Sequence, residues 1–402
     1  MLHPGRVLLP LGLGTALSLM GDATLYTVLP THTAAAGITL SGVGIILSAN
    51  RIIRLFLNGP TGVAYDRSPR RGLFITALFI GVLSTIIYAA TSGFWPLLAG
   101  RLLWGVAWAG IWVGGTTIIL DVTTDQDRGR WTGLYQTWFF LGAAFGAFSG
   151  GVLTDWLGFT TTMWIAAAVS AIGGLAALFF LPETQPKTNP LKGSLVKGKL
   201  PGPRSNPRLW IAASVQGINR FVTAGVLAAT IALLVQDRAA NFQIALGVAT
   251  MTGILLGYRT VISMISAPMA GSLSDRLGGR WLVTLGGLLL GALGMFLMVR
   301  PDPGTLIIGI SLTAISGGSV QTLVTALTGD LVIEAQRGRA IGLLHTAGDL
   351  GSALGPITAY ALLPWIQLTG VYILCAGVLT FGAVMALWVF RSERHHANRS
   401  GV

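Results

Sequence analysis

Long apolar stretches separated by short polar connections follow one another along almost the whole sequence. A helix that crosses a membrane needs about 20 predominantly apolar residues, and these stretches have that order of length. Because the connections are short, neighbouring helices are expected to run antiparallel. The pattern predicts an all-α membrane protein with twelve spanning helices. Their predicted limits are 7–29, 39–59, 73–91, 94–120, 131–154, 160–181, 209–235, 243–268, 281–299, 304–329, 340–364 and 369–390.

Special residues of the first half return in the second half at a constant shift of 209 positions. The charged segment 62–71 returns as 271–280, and further matches pair residues of the same character. These are Asp121 with Asp330, Asp125 with Glu334, Arg128 with Arg337, Arg130 with Arg339, Gly142 with Gly351 and Gly146 with Gly355. Such a register indicates a duplicated bundle of six membrane helices, and two like halves are the layout of a transporter.

The segment between the two halves differs in composition from the rest of the chain. It holds all four lysines, several prolines and little apolar surface. This composition favours a mobile tether, with a regulatory site as the open alternative. The predicted organisation is an N-terminal six-helix bundle over 1–181, a cytoplasmic linker over 182–208, a C-terminal six-helix bundle over 209–390 and a cytoplasmic tail over 391–402.

The composition excludes a soluble domain, because only 10% of the residues are charged, against roughly 25% in soluble proteins. Of the 26 lysines and arginines, nineteen fall on the side of the predicted spans that holds both termini, and two fall on the opposite side. The positive-inside rule then places both termini in the cytoplasm, and we expect a multi-pass protein of the cell (inner) membrane. The net charge of +12 is interpreted as topology and contact with anionic lipids, not as a nucleic-acid site.

No pattern for enzymatic chemistry stands out. The sequence has no glycine-rich phosphate loop, no histidine, cysteine and acid cluster with metal-ligand spacing, and a single cysteine, Cys375, in an apolar run. We therefore expect neither an enzyme nor a cofactor or metal site, and ATP is not the expected energy source.

Several of these features resemble the major facilitator superfamily over nearly the whole chain. The segments that contain Asp66-Arg67 and Asp275-Arg276 look like the family's signature between helices 2 and 3 and its echo between helices 8 and 9, although Pro69 stands where glycine is usual. The resemblance implies twelve spans in two pseudo-symmetric six-helix bundles, a monomer, and transport by alternating access.

The fifth predicted helix resembles, more narrowly, the drug:proton antiporters of this superfamily. Its glycine spacing looks like their antiporter signature; the signature's proline is replaced by Ala147 here, whereas helix 11 has Pro356. Arg101 and Trp104 look like part of that group's helix 4 signature, with Trp104 in place of glutamine. This resemblance implies proton-coupled export.

Aspartates and arginines at the predicted cytoplasmic helix ends are candidates for gating. An aspartate there can meet the positive N-terminal end of a helix from the other half, or a nearby arginine, and such contacts exist only while the cytoplasmic side is closed. The alternative is topogenic charge in water, but aspartate weighs little in the orientation rule and these aspartates recur. The candidates are Asp66, Arg67, Arg70, Asp121, Arg130, Asp275, Arg276, Arg280 and Asp330.

Glycines at a spacing of four define one face on helix 5 and one on helix 11. Gly142 and Gly146, with their repeats Gly351 and Gly355, predict a flat groove into which a partner helix fits. Contacts of this kind between halves would let helices slide, so these glycines are also gating candidates. Static tight packing is the open alternative.

Ionisable residues within the predicted spans are the strongest functional candidates, because a charge at mid-bilayer is costly. The acids are Asp22 and Asp349, and His345 lies one turn from Asp349. Asp22 can hold a proton while desolvated and release it when a cation approaches; a fixed ion pair with Arg51 or Arg101 is the alternative. His345 and Asp349 suit either a proton relay or a structural hydrogen bond.

A tryptophan stripe of Trp104, Trp108 and Trp112 follows Arg101 on helix 4. Lipid would reject the arginine, so the stripe is expected to face inward, where indoles could stack on an aromatic or cationic substrate. Anchoring in lipid is the alternative. The other candidates for substrate contact are Tyr26, Arg51, Gln136, Gln216, Asn219 and Arg220.

These observations favour a secondary transporter that exports a hydrophobic or drug-like small molecule against an inward flow of protons. Asp22, Arg101, His345 and Asp349 are the proton-coupling candidates. Five arginines against two acids within the spans favour, as an alternative, an anionic metabolite moved by symport or exchange. A membrane receptor or sensor without transport is a third class. The expected partners are a small-molecule substrate, protons and membrane lipids.

Overall fold

The computed structural model describes residues 3–124, 127–185, 206–242, 246–332 and 337–400, and all regular structure within these ranges is helical. A seven-residue π-helix, Phe221–Leu227, lies between two α-helices and is called the π-segment below. The α-helices are α1 (Pro4–Val28), α2 (Thr33–Ala36), α3 (Leu40–Arg67), α4 (Arg70–Ala90), α5 (Phe94–Val122), α6 (Arg128–Leu157), α7 (Phe159–Phe180), α8 (Pro207–Arg220), α9 (Ala228–Phe242), α10 (Val248–Leu277), α11 (Arg280–Leu297), α12 (Pro303–Asp330) and α13 (Arg337–Ser400).

Some sequence predictions lie outside the described residues. They concern most of the linker, 186–205, the repeat pair Asp125 and Glu334, and the side chains of Arg128, Arg337 and Arg339.

Eleven helical stretches in the described ranges are long and apolar enough to cross a membrane. One of them, Ala340–Glu393, has 54 residues, which at about 1.5 Å per residue is more than twice the roughly 30 Å of a bilayer core. Gln367 interrupts its helical backbone with φ 55° and ψ 178°. This stretch covers two predicted spans, 340–364 and 369–390. The prediction of an all-α protein with many membrane-length helices is confirmed.

Two helices continue past the predicted ends of their spans. The predicted spans stop at 59 and 268, but Pro60 and Pro268 lie inside α3 and α10. A proline removes one hydrogen bond within a helix, yet membrane helices tolerate it because neighbouring groups satisfy the freed carbonyl. Asp66 and Asp275 therefore lie in the last turns of α3 and α10, at the helix ends where the sequence predicts them.

The chain divides into two compact units. Unit 1 comprises Met1–Gly198 and Ala245–Gly257, and unit 2 comprises Lys199–Ile244 and Tyr258–Val402. In unit 1, α1 packs against α6 and α7, and α4 packs against α5 and α7. In unit 2, α13 packs against α8, and α11 packs against α12 and α13. The first residues of α10 therefore belong to unit 1, while the predicted linker boundaries at 182 and 208 stay predictions.

Gly142 and Gly146 of α6 lie against α1 inside unit 1. A Cβ atom on Gly142 would come within 2.5 Å of the Cα atom of Ala16, and one on Gly146 within 3.0 Å of the Cα atom of Met20. The glycine face therefore lets the backbones of α1 and α6 approach closely, as tight packing of membrane helices requires.

The repeated glycines pack in the same way inside unit 2. Gly351 lies against the backbone of Gly217 in α8, and a Cβ atom on Gly355 would come within 2.5 Å of the Cα atom of Gly225 in the π-segment. In both halves the helix that carries the glycines packs on the first helix of its own half. Their role in gating stays a prediction.

Candidate coupling and gating sites

Asp22 of α1 and Arg101 of α5 form an ion pair in the interior of unit 1. The Arg101 Nη1 atom lies 2.5 Å from the Asp22 Oδ1 atom, with the Arg101 side chain 0% exposed and that of Asp22 18% exposed. Arg101 also donates through Nε to the carbonyl of Ile46 in α3 at 3.3 Å. Of the two arginines considered for Asp22, the structure thus places Arg101 beside it. The pair joins three helices.

Tyr26 lies one turn along α1 from Asp22 and contacts both candidate arginines. The guanidinium carbons of Arg51 and Arg101 each lie 5.2 Å from the centroid of the Tyr26 ring. The Tyr26 hydroxyl donates to the carbonyl of Leu47 in α3 at 2.9 Å. Because its side chain is only 8% exposed, most of the Tyr26 surface is already covered by protein.

The tryptophan stripe of α5 forms a stack inside unit 1. The ring centroids of Trp104 and Trp108 are 5.9 Å apart, as are those of Trp108 and Trp112, and Phe139 of α6 adds an edge contact to Trp112. Trp104 and Trp108 are buried in the core of unit 1, so protein and not lipid surrounds these two indoles. Trp112 is half-buried, and Gln136 on α6 is exposed.

Polar candidates of unit 2 gather on α8. Gln216 and Asn219 are buried, and Asn219 donates through Nδ2 to the carbonyl of Gly317 in α12 at 3.4 Å. Arg220 donates through Nη1 to the side-chain oxygen of Gln321 in α12 at 3.4 Å. Asn219 and Arg220 therefore contact α12, whereas the Gln216 side chain lies beside Gly348 of α13.

The π-segment follows these residues directly. A π-helix is rare, and the short π-helical turns found inside α-helices are frequent at functional sites. Here the Thr223 hydroxyl donates to the Asn219 carbonyl at 2.7 Å, and the Thr223 carbonyl accepts from Nη2 of Arg259 in α10 at 2.7 Å. The sequence analysis missed this element, because nothing in the apolar run 221–227 distinguishes it from an α-helix.

His345 and Asp349 of α13 differ in exposure although they are one turn apart. His345 is exposed, whereas Asp349 is 6% exposed and its backbone carbonyl accepts from the Ser352 hydroxyl at 3.0 Å. A proton relay through the two residues stays a prediction.

Arg70 and Asp121 form the most buried of the predicted gating contacts. The Arg70 Nε atom lies 3.1 Å from the Asp121 Oδ2 atom, with side chains 8% and 12% exposed. The Glu183 carboxylate accepts from the backbone N–H groups of Arg70 at 3.0 Å and Arg71 at 3.2 Å, which are the first two of α4. Thr184 donates to the same Asp121 oxygen at 3.3 Å. These contacts tie together the start of α4, the end of α5 and the chain after α7.

The corresponding contact in unit 2 is exposed. Arg280 lies 2.9 Å from Asp330 and 3.7 Å from Asp275, and the three side chains are 30%, 56% and 69% exposed. The 209-residue shift aligns Arg280 with Arg71 and not with Arg70. In unit 2 the arginine of the ion pair therefore lies one repeat position later than Arg70 does in unit 1.

The remaining gating candidates, Asp66, Arg67, Arg276 and Arg130, are exposed. The Arg130 guanidinium carbon lies 5.7 Å from the centroid of the Trp131 ring.

Asp127 lies beside Arg130 in the connection between α5 and α6. Its carboxylate accepts from the Thr124 hydroxyl at 2.8 Å and from Nε1 of Trp131 at 3.1 Å. The hydrogen bond from the Thr124 hydroxyl is the main reason why the pKa of Asp127 lies below its usual value.

Asp155 near the end of α6 caps the start of α10, and both groups belong to unit 1. Its carboxylate accepts from the backbone N–H of Thr250 at 2.7 Å and of Ala249 at 3.4 Å. These are the second and third residues of α10, whose N–H groups an N-cap side chain normally satisfies. The preceding residue is Gly247, where a Cβ atom would overlap the Asp155 carboxylate. Sequence reasoning missed this contact because its partners are 95 residues apart.

The described part of the chain is thus a multi-pass helical membrane protein with an ion pair buried among its spanning helices. Among the residues that the structure describes, no group of three or more His, Cys, Asp or Glu side chains could hold a metal ion. Intramembrane charges held against protein are typical of helical membrane transporters.

The sequence model of the Major Facilitator Superfamily matches the chain twice, over residues 11–258 and 209–401. The chain belongs to this superfamily. This membership agrees with the transporter class that the sequence predicts.

Two relatives are multidrug resistance proteins named MdtG. The MdtG of Citrobacter koseri is 24% identical over 356 residues, which are 87% of this chain and 85% of that protein. The MdtG of Escherichia coli (strain K12 / DH10B) is 25% identical over 357 residues, with the same coverage of 87% and 85%.

Solved structures share the fold. A bacterial homologue of the human lysosomal transporter Spinster, inward-facing and occupied, has a TM-score of 0.80 at 16% identity and covers 96% of this chain and 97% of its own. The nucleoside transporter NupG has a TM-score of 0.76 at 15% identity, with 96% and 99% covered. The human organic anion transporter MFSD10 (TETRAN) has a TM-score of 0.70 at 19% identity, with 96% and 100% covered.

Proposed function

We propose that this chain is a proton-coupled exporter of a hydrophobic or drug-like small molecule that works by alternating access. Twelve spans in two pseudo-symmetric six-helix bundles would cross the inner membrane, with both termini in the cytoplasm and the monomer as the working form. Membership of the superfamily and similarity to the MdtG multidrug resistance proteins support the proposal.

The observation that carries the proposal is the buried pair of Asp22 and Arg101. A carboxylate in a desolvated site stays ionised only while a cation compensates it. When Asp22 takes up a proton, Arg101 loses its acid partner and keeps the Ile46 carbonyl and the Tyr26 ring. Proton binding therefore changes the contacts among α1, α3 and α5, which is the physical requirement for coupling.

The residues proposed to contact the substrate lie in both units. In unit 1, Trp112 retains accessible surface at the end of the indole stack. In unit 2, Gln216, Asn219 and Arg220 form a polar group next to the π-segment. His345 and Asp349 are proposed as a second place for a proton.

The contacts of Arg70 with Asp121 and of Arg280 with Asp330 are proposed as parts of the cytoplasmic gate. Both pairs lie at helix ends on the predicted cytoplasmic side, and Thr184 donates to the carboxylate of the first pair.

A second candidate function is transport of an organic anion. The observation in its favour is the position of Arg51 and Arg101 around one ring, because two guanidinium groups could clamp a carboxylate or phosphate. Against it, Arg101 already has an acid partner.

The test is transport by the purified protein in liposomes under an imposed pH gradient, with a fluorescent lipophilic cation as the probe. We expect gradient-driven movement by the wild type and none by Asp22→Asn, which should retain exchange of the probe without a gradient. The matched control is Asp302→Asn, because Asp302 is exposed and caps the start of α12 through the N–H of Thr305, a bond that asparagine can also accept.

Each other outcome points to a different class. Movement of organic anions only would support the second candidate. Ligand binding without flux would support a receptor. Full gradient-driven transport by Asp22→Asn would remove the proton-coupling role from Asp22.

A further inference from the structure

The Tyr26 ring contacts two arginines near the proposed proton site. Two guanidinium groups from different helices, Arg51 of α3 and Arg101 of α5, lie at the same distance of 5.2 Å from its ring centroid. These two distances together limit the separation of the guanidinium carbons to about 10 Å. A cation near an aromatic face is attracted by the ring quadrupole, most strongly where water is excluded. The ring thus offsets part of the repulsion between two like charges.

The Tyr26 hydroxyl fixes the ring in place. It donates to the carbonyl of Leu47 at 2.9 Å, and Leu47 precedes Arg51 by four residues on α3. Residues four apart lie on the same face of a helix. The hydrogen bond therefore anchors the ring on the helix turn that carries Arg51.

Charged and titratable groups lie near Asp22 on several neighbouring helices. Arg101 reaches it from α5, the buried Tyr88 of α4 lies near the pair, and Tyr26 follows on α1 with Arg51 of α3 beyond it. On α6 the titratable Tyr135 hydroxyl lies 3.1 Å from the Thr15 hydroxyl of α1, two turns before Asp22, and α7 contacts α1 through the Ser170 hydroxyl. Arg101 therefore supplies positive potential directly at Asp22, and Arg51 adds to it at longer range.

We propose that Tyr26 is a positioning residue for the proton site, whose ring holds Arg51 and Arg101 together so that their combined charge sets the pH at which Asp22 gains and loses its proton. This inference rests on the proposed proton coupling. It also replaces the predicted role of Tyr26 as a substrate contact, since the ring surface is taken up by the two guanidinium groups.

Two variants separate the ring from the hydroxyl. Tyr26→Leu removes both the cation–π contacts and the hydrogen bond, whereas Tyr26→Phe removes only the hydrogen bond. Loss of the ring should remove one of the contacts that hold Arg51 near Asp22 and so weaken the positive potential at Asp22. We expect the pH midpoint of probe efflux to rise by about one unit in Tyr26→Leu, the order of shift that one nearby charge produces. Tyr26→Phe should keep the wild-type midpoint.

A second readout does not depend on transport. Infrared spectroscopy of the protein in detergent, titrated over pH, follows the carbonyl band of the protonated Asp22 carboxyl group, which is identified by its absence in Asp22→Asn. The band should persist to higher pH in Tyr26→Leu than in the wild type. If Tyr26→Leu does not fold, Arg51→Gln removes the second charge, keeps the ring and should move the midpoint in the same direction.

The outcomes separate this inference from the proposed function. A wild-type midpoint in Tyr26→Leu, with only the KM for the probe raised, would make Tyr26 a substrate contact and overturn the inference. A shift in Tyr26→Phe as large as in Tyr26→Leu would also overturn it, because the ring would then be irrelevant. A shifted infrared midpoint without gradient-driven flux in any variant would support the positioning role and refute the proton-coupled transport.

Discussion

The cap that Asp155 places on α10 leads to a sharp prediction about local stability. The carboxylate accepts from the N–H groups of Ala249 and Thr250, and Gly247 provides no side chain that could replace it. In Asp155→Ala both bonds disappear and two N–H groups in the first turn of α10 lose their acceptor. We expect the first turn of α10 to open more often.

The magnitude follows from two contributions. Loss of an N-cap acceptor costs about 0.5–2 kcal/mol, and loss of a negative charge at a helix N-terminus costs about 0.3–1 kcal/mol. Asp155→Ala should therefore destabilise the start of α10 by roughly 1–3 kcal/mol, or about 5- to 150-fold in the opening equilibrium. Asp155→Asn keeps an acceptor oxygen and should lose only the charge contribution.

Hydrogen–deuterium exchange with mass spectrometry measures this opening. The peptide that covers residues 246–257 should exchange fastest in Asp155→Ala, at an intermediate rate in Asp155→Asn and slowest in the wild type. The matched control is Asp302→Ala, which removes a local N-cap from α12 and should speed exchange there while it leaves 246–257 unchanged. Wild-type exchange of 246–257 in Asp155→Ala would show that the carboxylate does not cap α10.

Three further predictions concern packing, surface charge and the π-segment. Gly142→Ala should lower the thermal unfolding temperature in detergent, because the added Cβ atom would lie 2.5 Å from the backbone of α1 and overpack the contact at a cost of about 1–3 kcal/mol. The control is Gly133→Ala, whose Cβ atom would meet nothing within 4 Å and which should not lower the unfolding temperature. Equal losses in the two variants would refute the packing argument. Asp330→Asn should change the unfolding temperature little, since exposed ion pairs contribute about 0–1 kcal/mol. Asp121→Asn should lower it clearly, because the ion pair of Asp121 with Arg70 is buried. A larger loss in Asp330→Asn than in Asp121→Asn would contradict the argument from burial. Arg259→Gln should speed deuterium uptake in the π-segment by about 5- to 150-fold, because the Thr223 carbonyl loses the Arg259 donor at a cost of about 1–3 kcal/mol. Unchanged uptake would show that Arg259 does not hold this segment.

Much of the fold could be predicted from the sequence, because each spanning helix satisfies its own backbone hydrogen bonds and must be apolar outside. The apolar stretches therefore marked the helices directly. Helices α3 and α10 continue eight and nine residues past the predicted span limits at 59 and 268, because in a membrane protein neighbouring groups satisfy the carbonyls that Pro60 and Pro268 free.

The site was predictable as a set of residues but not as a set of contacts. The cost of an intramembrane charge singled out Asp22, Arg51 and Arg101, yet only the packing of three helices decides which arginine meets the acid. The same limit applies to Asp155 and Glu183. Each caps a helix that is remote in sequence, so no local spacing reveals the contact.

The Glu183 carboxylate accepts hydrogen bonds from the first turn of α4, and this has a consequence during synthesis of the chain. The first turn of α4 contains Arg70, and its acceptor follows 113 residues later, so a ribosome that adds about 5–20 residues per second needs roughly 6–23 seconds to supply it. During this interval the two N–H groups have to bind water or lipid headgroups. A nascent polypeptide released before residue 183 would keep that frayed turn, whereas one released after 185 would already contain the carboxylate that closes it.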